Sequence, residues 1–334
     1  MSTIGRALAI LVIGVGLACR PPSSVAADTP APAVVSSIPP VHSLVAAVMA
    51  GVGGPKLLVK GGSSPHTASL RPSDAAALQK ADLVFWIGDG LEAFLGKSLA
   101  ALPDRARVVA LAAAPGVKLL PVREGGVWDA HPHAHDQEEH GHEEHGHGEE
   151  HDEAAADDEH GQNAHDMHIW LDPQNAKAMA TAIADALAKF DPARADVYAG
   201  NAKALHQRLA ALDEQLRTTL APVIHKPYIV FHDAYQYFEA RYGLSPAGAI
   251  TFSPERAPGA KTLSEIRERI RTSGAVCVFR EPQFEPGLVK TVTAGSAARI
   301  GVLDPVGADI PAGAEAYPAL LTQMASAIRG CLGA

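Results

Sequence analysis

The sequence predicts an α/β protein of two (βα) sandwich lobes with parallel sheets, joined by one long rigid linking helix. Three observations carry that reading. From Val34 onward, short β-branched runs alternate with longer alanine-rich runs of helical period, the signature of βα units. That rhythm restarts after Pro222, which gives a second lobe. Between the two, Tyr198, Leu205, Leu209, Leu212, Leu216 and Leu220 recur at three- and four-residue spacing with one gap at Ala202, the stripe of an amphipathic helix.

In the first lobe, "VVSSI" (34–38) reads as a strand and "HSLVAAVMAGV" (42–52), entered through two prolines, as a helix. "KLLV" (56–59), "ADLVFWIG" (81–88) and "ARVVAL" (106–111) supply three more strands, with the helical "LEAFLGKSLAAL" (91–102) between the last two. "HDMHIWLDP" (165–173) joins an acidic, histidine-crowded tract to an apolar run that reads as a buried strand end. Asp191 and Pro192 are good N-cap and first-turn residues for the linking helix. About 30 residues of helix would run ~45 Å, enough to cross both lobes, and Gly200 is where it could break. In the second lobe "YIVF", "GAVCVF" and "RIGVLD" read as strands, separated by the helical "TLSEIRERIRT" and "GLVKTVTAGSA". The expected organisation is a signal peptide over 1–27, a first lobe over 28–190, the linking helix over 191–220 and a second lobe over 221–334.

Residues 1–27 carry Arg6, an apolar stretch and a small-residue site before Asp28, an export signal. The apolar stretch is about 12 residues, short of the roughly 20 that span a bilayer, so a soluble periplasmic protein is expected, with lipid anchoring at Cys19 the less favoured alternative. Cys277 and Cys331 remain after cleavage. An even pair in an exported chain points to a disulfide, with two buried thiols the alternative.

The formal charge of −9 is not uniform. Residues 129–165 hold 13 Asp and Glu and no Lys or Arg, and 1–27 hold two arginines; without both segments the body is left at +2. A nearly neutral body predicts neither nucleic-acid binding nor strong attraction to an anionic membrane. The tract has almost no large apolar side chain and cannot form a core, so a surface loop is expected. Its ten histidines include His131, His133, His135, His140, His142, His145, His147 and His151, a secondary set able to take up Zn2+ weakly, with His160 and His165 completing the count.

Six histidines lie outside the tract. His206 and His225 read as surface residues, and His42 as a packing or capping residue at a helix start. His66 and His232 follow strand-like runs, and His168 ends one, which is where open α/β sheets gather ligand-binding groups. Asp304 comes off "RIGVLD" in the same way. Three imidazoles and a carboxylate form a zinc-like set, although each histidine could equally be a satisfied core residue.

The words around them add to this. "SPHTASLRPSDAAALQKADLVFWIG", "MHIWLDP", "VFHDAYQYF", "PERAPGAKTLSEI", "REPQF" and "GVLDPVG" occur in order over about 240 residues. Together they resemble the ZnuA-type periplasmic zinc-binding proteins, the solute-binding components of metal-ion ABC importers. The resemblance implies Zn2+ held in an interlobe cleft by His66, His168 and His232, with Asp304 or water completing the shell. It also implies a disulfide between Cys277 and Cys331, and an inner-membrane permease with its ATPase as partners. Zinc members often place a glutamate before the first histidine, where this chain has Pro65, so that fourth donor is missing.

Nitrogen donors favour Zn2+ over Mn2+, which prefers more oxygen. Asp233, Asp172 and Glu255 are the candidate acceptors for the second N–H of the ligating imidazoles, and affinity is expected to fall below about pH 6. The expected protein is not an enzyme but a monomeric zinc carrier, with a periplasmic zinc chaperone as a further partner. The alternatives are a manganese or iron homologue, a metallochaperone or adhesin, and a zinc-dependent hydrolase, against which stands the lack of an HExxH helix or GxSxG elbow. A spine helix allows only small loop rearrangements on metal release.

Overall fold

The computed structural model of the protein describes residues 30–60, 62–123, 164–251, 254 and 258–334. The export signal, Cys19, Glu255 and all of the histidine-rich tract except Ala164 and His165 lie outside these residues. In chain order the elements are β1 (Val34–Ser36), α1 (Pro39–Val48), β2 (Lys56–Leu57), α2 (Pro72–Lys80), β3 (Leu83–Trp86), α3 (Ala93–Ala100), β4 (Arg107–Ala110), β5 (Leu120–Pro121) and β6 (His165–Asp166). There follow α4 (Pro173–Phe190), α5 (Ala195–Leu220), β7 (Tyr228–His232), α6 (Gln236–Tyr242), β8 (Pro246–Thr251), α7 (Ala260–Ser273), β9 (Cys277–Arg280), α8 (Gly287–Thr293), β10 (Arg299–Val302) and α9 (Ala316–Gly333).

Two four-stranded parallel sheets result, ordered β2-β1-β3-β4 and β8-β7-β9-β10. The order is the same in each, so the second lobe repeats the topology of the first. In both sheets the chain winds one way from the first strand and the other way from the third, and ligand crevices open at the carboxyl ends of such strands.

Strand alternation explains how each sheet is covered. Val34, Leu83 and Phe85 face a central core, while Val35, Val84 and Trp86 pack on the opposite face. In the second sheet Tyr228 and Val230 face inward, and Ile229 and Val278 pack with Ile266, Ile270 and Val289 outside. One continuous core joins the inner faces of both sheets through Leu205, Leu209 and Leu216 of α5. The helix α5 packs against α1, α4 and α9, and all of these belong to one compact unit, residues 31–334. A shared core makes independent motion of the two sheets costly.

Several expectations shift. The linking helix does not start at Asp191, which instead ends α4. Pro192–Arg194 form a single 3-10 turn, and α5 begins at Ala195. Asp191 accepts from the Arg194 guanidinium at 2.6 Å and the Tyr198 hydroxyl at 2.8 Å. The helix passes Gly200 without a break. The apolar run after His168 is a buried 3-10 turn, Ile169–Leu171, and not a strand. The strand β8 goes unread in the sequence because "PAGAIT" lacks β-branched density. Its proline stands first on an edge strand, where a missing N–H is tolerated.

Cys277 of β9 and Cys331 of α9 form a disulfide, closing a separation of 54 residues. Close packing continues beside it. A Cβ at Gly301 would meet the Phe279 ring at 2.5 Å and Cys331 Sγ at 3.3 Å. Among the described residues no helix is long and apolar enough to cross a membrane.

Candidate metal centre

His232 is the last residue of β7, at the carboxyl end of a central strand. His66 stands in the loop between β2 and α2, where its N–H donates to Ser64 Oγ at 3.2 Å. His168 lies between β6 and the 3-10 turn, its backbone N–H donating to Asp166 Oδ1 at 2.9 Å. Trp170 holds this turn from below: its indole N–H donates to Pro305 O at 2.8 Å, and its carbonyl accepts from the Tyr317 hydroxyl at 2.6 Å. The turn carrying His168 is thus pinned to the chain beyond β10.

The three side chains converge. His66 Nε2 lies 3.2 Å from His168 Nε2, and His232 Nε2 lies 3.3 Å from His168 Nε2. One donor atom from each of the three sits within 4.8 Å of the other two. Nitrogens at tetrahedral zinc distances stand about 3.3 Å apart, so these separations are those of a ligand set.

Tautomers strengthen the point. His168 Nδ1 is 2.7 Å from Asp166 Oδ1, and His232 Nδ1 is 2.6 Å from Glu281 Oε1, which also accepts from the Tyr235 hydroxyl at 3.0 Å. A carboxylate only accepts, so each Nδ1 carries the proton and each neutral ring presents a bare Nε2 lone pair. Two lone pairs facing at 3.3 Å repel unless a proton or a cation lies between them. Two buried carboxylates behind the rings balance a divalent charge in front of them. Burial, then the neighbouring His168 and His232, push the His66 pKa down to about 3.

Asp304 does not join the cluster. Its Oδ1 accepts from Gln283 Nε2, Val306 N and Gly307 N at 2.8–3.0 Å, and its Oδ2 from Ala308 N at 2.5 Å. The carboxylate is held by the loop it caps. The expected second acceptors also differ. Asp233 bonds the Arg123 guanidinium at 2.9 Å, and Asp172 caps α4 through Gln174 N at 2.8 Å. Asp166 and Glu281 take the role instead. Both lay within quoted motif words, one two residues before His168 and the other opening "EPQF" after a strand. Among the other histidines, His42 bonds Pro55 O at 3.2 Å, His206 bonds Lys177 O at 2.9 Å, and His225 is exposed.

A cavity of about 360 Å3 opens beside His66 and His168, lined also by Arg123, His165, Asp166 and Asp233. Arg123 bridges Asp233 at 2.9 Å and Glu239 at 2.7 Å, tying the segment after β5 to the second lobe. Burial pushes the Asp233 carboxyl up to about 7 against the pull of Arg123. His165 pairs with Pro121 in the short β5–β6 ladder.

The chain matches the model of the ZnuA family, described as zinc-uptake complex component A, periplasmic, over residues 34–331. It is 50% identical to the high-affinity zinc uptake system protein ZnuA of Brucella abortus, over 90% of this chain and 91% of that protein. The protein of the same description from Yersinia pestis is 39% identical at the same coverage. Among solved structures, a ZnuA deletion mutant with zinc bound superposes with a TM-score of 0.70 at 25% identity, covering 91% of this chain and 99% of that one. The periplasmic zinc-binding protein TroA of Treponema pallidum shares the fold, with a TM-score of 0.72 at 22% identity, over 90% of this chain and 99% of that one.

Proposed function

This chain belongs to the ZnuA family of periplasmic zinc-uptake components, and from that premise we propose that it captures Zn2+ on His66, His168 and His232 and delivers it to a membrane importer. The observation that carries the reading is the pair of Nε2 separations of 3.2 and 3.3 Å, with two of the rings fixed by acids at Nδ1. Three imidazoles, with no protein oxygen joining them among the described residues, favour zinc over manganese. With Asp304 engaged by its own loop, solvent is the better fourth donor.

A hydrolase built on the same ligands would need a base beside a zinc-bound water. Asp166 and Glu281 instead orient imidazoles, which supports holding the ion over turning over a substrate. The partners that follow from the family are an inner-membrane permease and its ATPase. We extend the reading to a monomer exported by residues 1–27 and free in the periplasm, not tethered at Cys19, and receiving zinc in part from a chaperone. The tract around His131–His151 would raise the local zinc concentration and fill only after the main site.

Metal analysis of the purified protein beside the triple substitution His66→Ala, His168→Ala, His232→Ala tests this. The parent should retain one zinc per chain after exhaustive dialysis, and the triple variant none. Equal retention by both would reject the site.

A further inference from the structure

The three-histidine cluster has a further polar neighbour. Gln283, two residues beyond Glu281, donates through Nε2 to Asp304 Oδ1 at 2.8 Å. A carboxylate cannot donate to an amide oxygen, so this contact fixes which end of the amide faces Asp304. The other end, Gln283 Oε1, is buried and has no hydrogen-bond partner. Gln283 also lines a cavity of about 10 Å3 that it shares with His66, His168, His232 and Glu281. That is the room of a single water, and buried amide oxygens left without a donor are rare in folded proteins.

We infer that Gln283 is the positioning residue for the fourth donor of the ion: its Oε1 accepts a hydrogen bond from a water bound to the metal held by the three histidines. The inference rests on the three-histidine site. It gives Asp304 a role without making it a ligand, since its carboxylate, immobilised by the backbone N–H groups of Val306, Gly307 and Ala308, aims the Gln283 amide. An amide in this place, where a carboxylate would bind the ion outright, leaves one coordination position filled by an exchangeable ligand. That suits an ion which has to be released again.

Cobalt(II) is the probe, because its visible d–d bands report ligand exchange. One equivalent is added to the metal-free full chain and to the Gln283→Leu and Gln283→Glu variants, and each is titrated with azide, which replaces bound water. The parent bands should shift with azide. Gln283→Leu should still bind one cobalt but take azide roughly tenfold more tightly, the water having lost its acceptor. Gln283→Glu, nearly the same in shape, should lose the azide response as its carboxylate excludes the anion. No azide response in the parent, or the same response in all three proteins, would overturn the inference. If His232→Ala leaves tight one-to-one cobalt binding by the parent unchanged, the three-histidine site itself fails, and this is read independently of azide.

Discussion

His168 and His232 bring their Nε2 atoms to 3.3 Å, although one follows the short strand β6 and the other ends a central strand of the second sheet. Each is aimed by its own acid, Asp166 and Glu281, at 2.7 and 2.6 Å from Nδ1. The meeting point is therefore built from the two-stranded ladder and the second four-stranded sheet, and the energetics of the ion depend on groups that do not touch it.

Replacing Glu281 by Gln tests that dependence. The amide can still contact the His232 ring but no longer carries the charge that fixes its tautomer and raises its basicity. Zinc affinity should drop roughly 10- to 100-fold, read by competition with a chelator, and Asp166→Asn should behave alike. An affinity unchanged within twofold would show that the ring needs no such anchor.

Removal of residues 129–163 tests what the tract contributes. His165 stays, because it pairs with Pro121 in the β5–β6 ladder. Calorimetry with Zn2+ should keep one tight site per chain while the weaker sites disappear. A lost tight site would mean the tract supplies a ligand.

Much of this arrangement is readable in the chain, and the reasons for the rest are physical. His66 and His232 were legible because each follows an apolar strand-like run, "KLLV" and "YIVF". His168 was legible as a site residue but not as to its backbone, since a three-residue apolar run looks alike in a strand and in a buried 3-10 turn. Asp304 follows the strand β10 in the chain much as His66 follows β2. Only three-dimensional packing shows that the next turn takes up its oxygens. The acids that orient the rings are hidden for the same reason: Asp233 adjoins His232 in sequence, yet it stands just past the end of β7 and meets Arg123 instead.

Glu92 predicts a pH effect away from the metal. It is fully buried, its Oε2 accepts from the backbone N–H groups of Ile87 and Gly88, and burial raises its carboxyl to about 7 from a usual 4.5. The folded state thus keeps a proton that the unfolded chain releases. Its contribution to stability is fully present below about pH 4.5 and is lost as pH rises through about 7. Glu92→Gln should unfold at a higher urea concentration than the parent near pH 8.5, by up to roughly 3 kcal/mol, and similarly to it near pH 5. The depressed His66 has the opposite sign, its contribution falling as pH drops from 6.5 toward about 3. It is common to both proteins and cancels in the comparison. A difference independent of pH would contradict the assignment.

The disulfide between β9 and α9 should stabilise the fold without shaping the site. The double substitution Cys277→Ala, Cys331→Ala is expected to lower the unfolding free energy by about 2–4 kcal/mol. Zinc affinity should stay within a few-fold of the parent, since Cys277 lies at the amino end of β9 and Glu281 beyond its carboxyl end. A large loss of affinity would mean that α9 also sets the position of the ligands.

The most direct test is zinc K-edge X-ray absorption on the chain lacking residues 129–163, loaded with one equivalent of Zn2+. Three imidazole nitrogens and one oxygen at about 2.0–2.1 Å are predicted, with the imidazole scattering reduced in His168→Ala. A shell dominated by carboxylate oxygen or sulfur, or one that the loss of His168 leaves unchanged, would contradict the account.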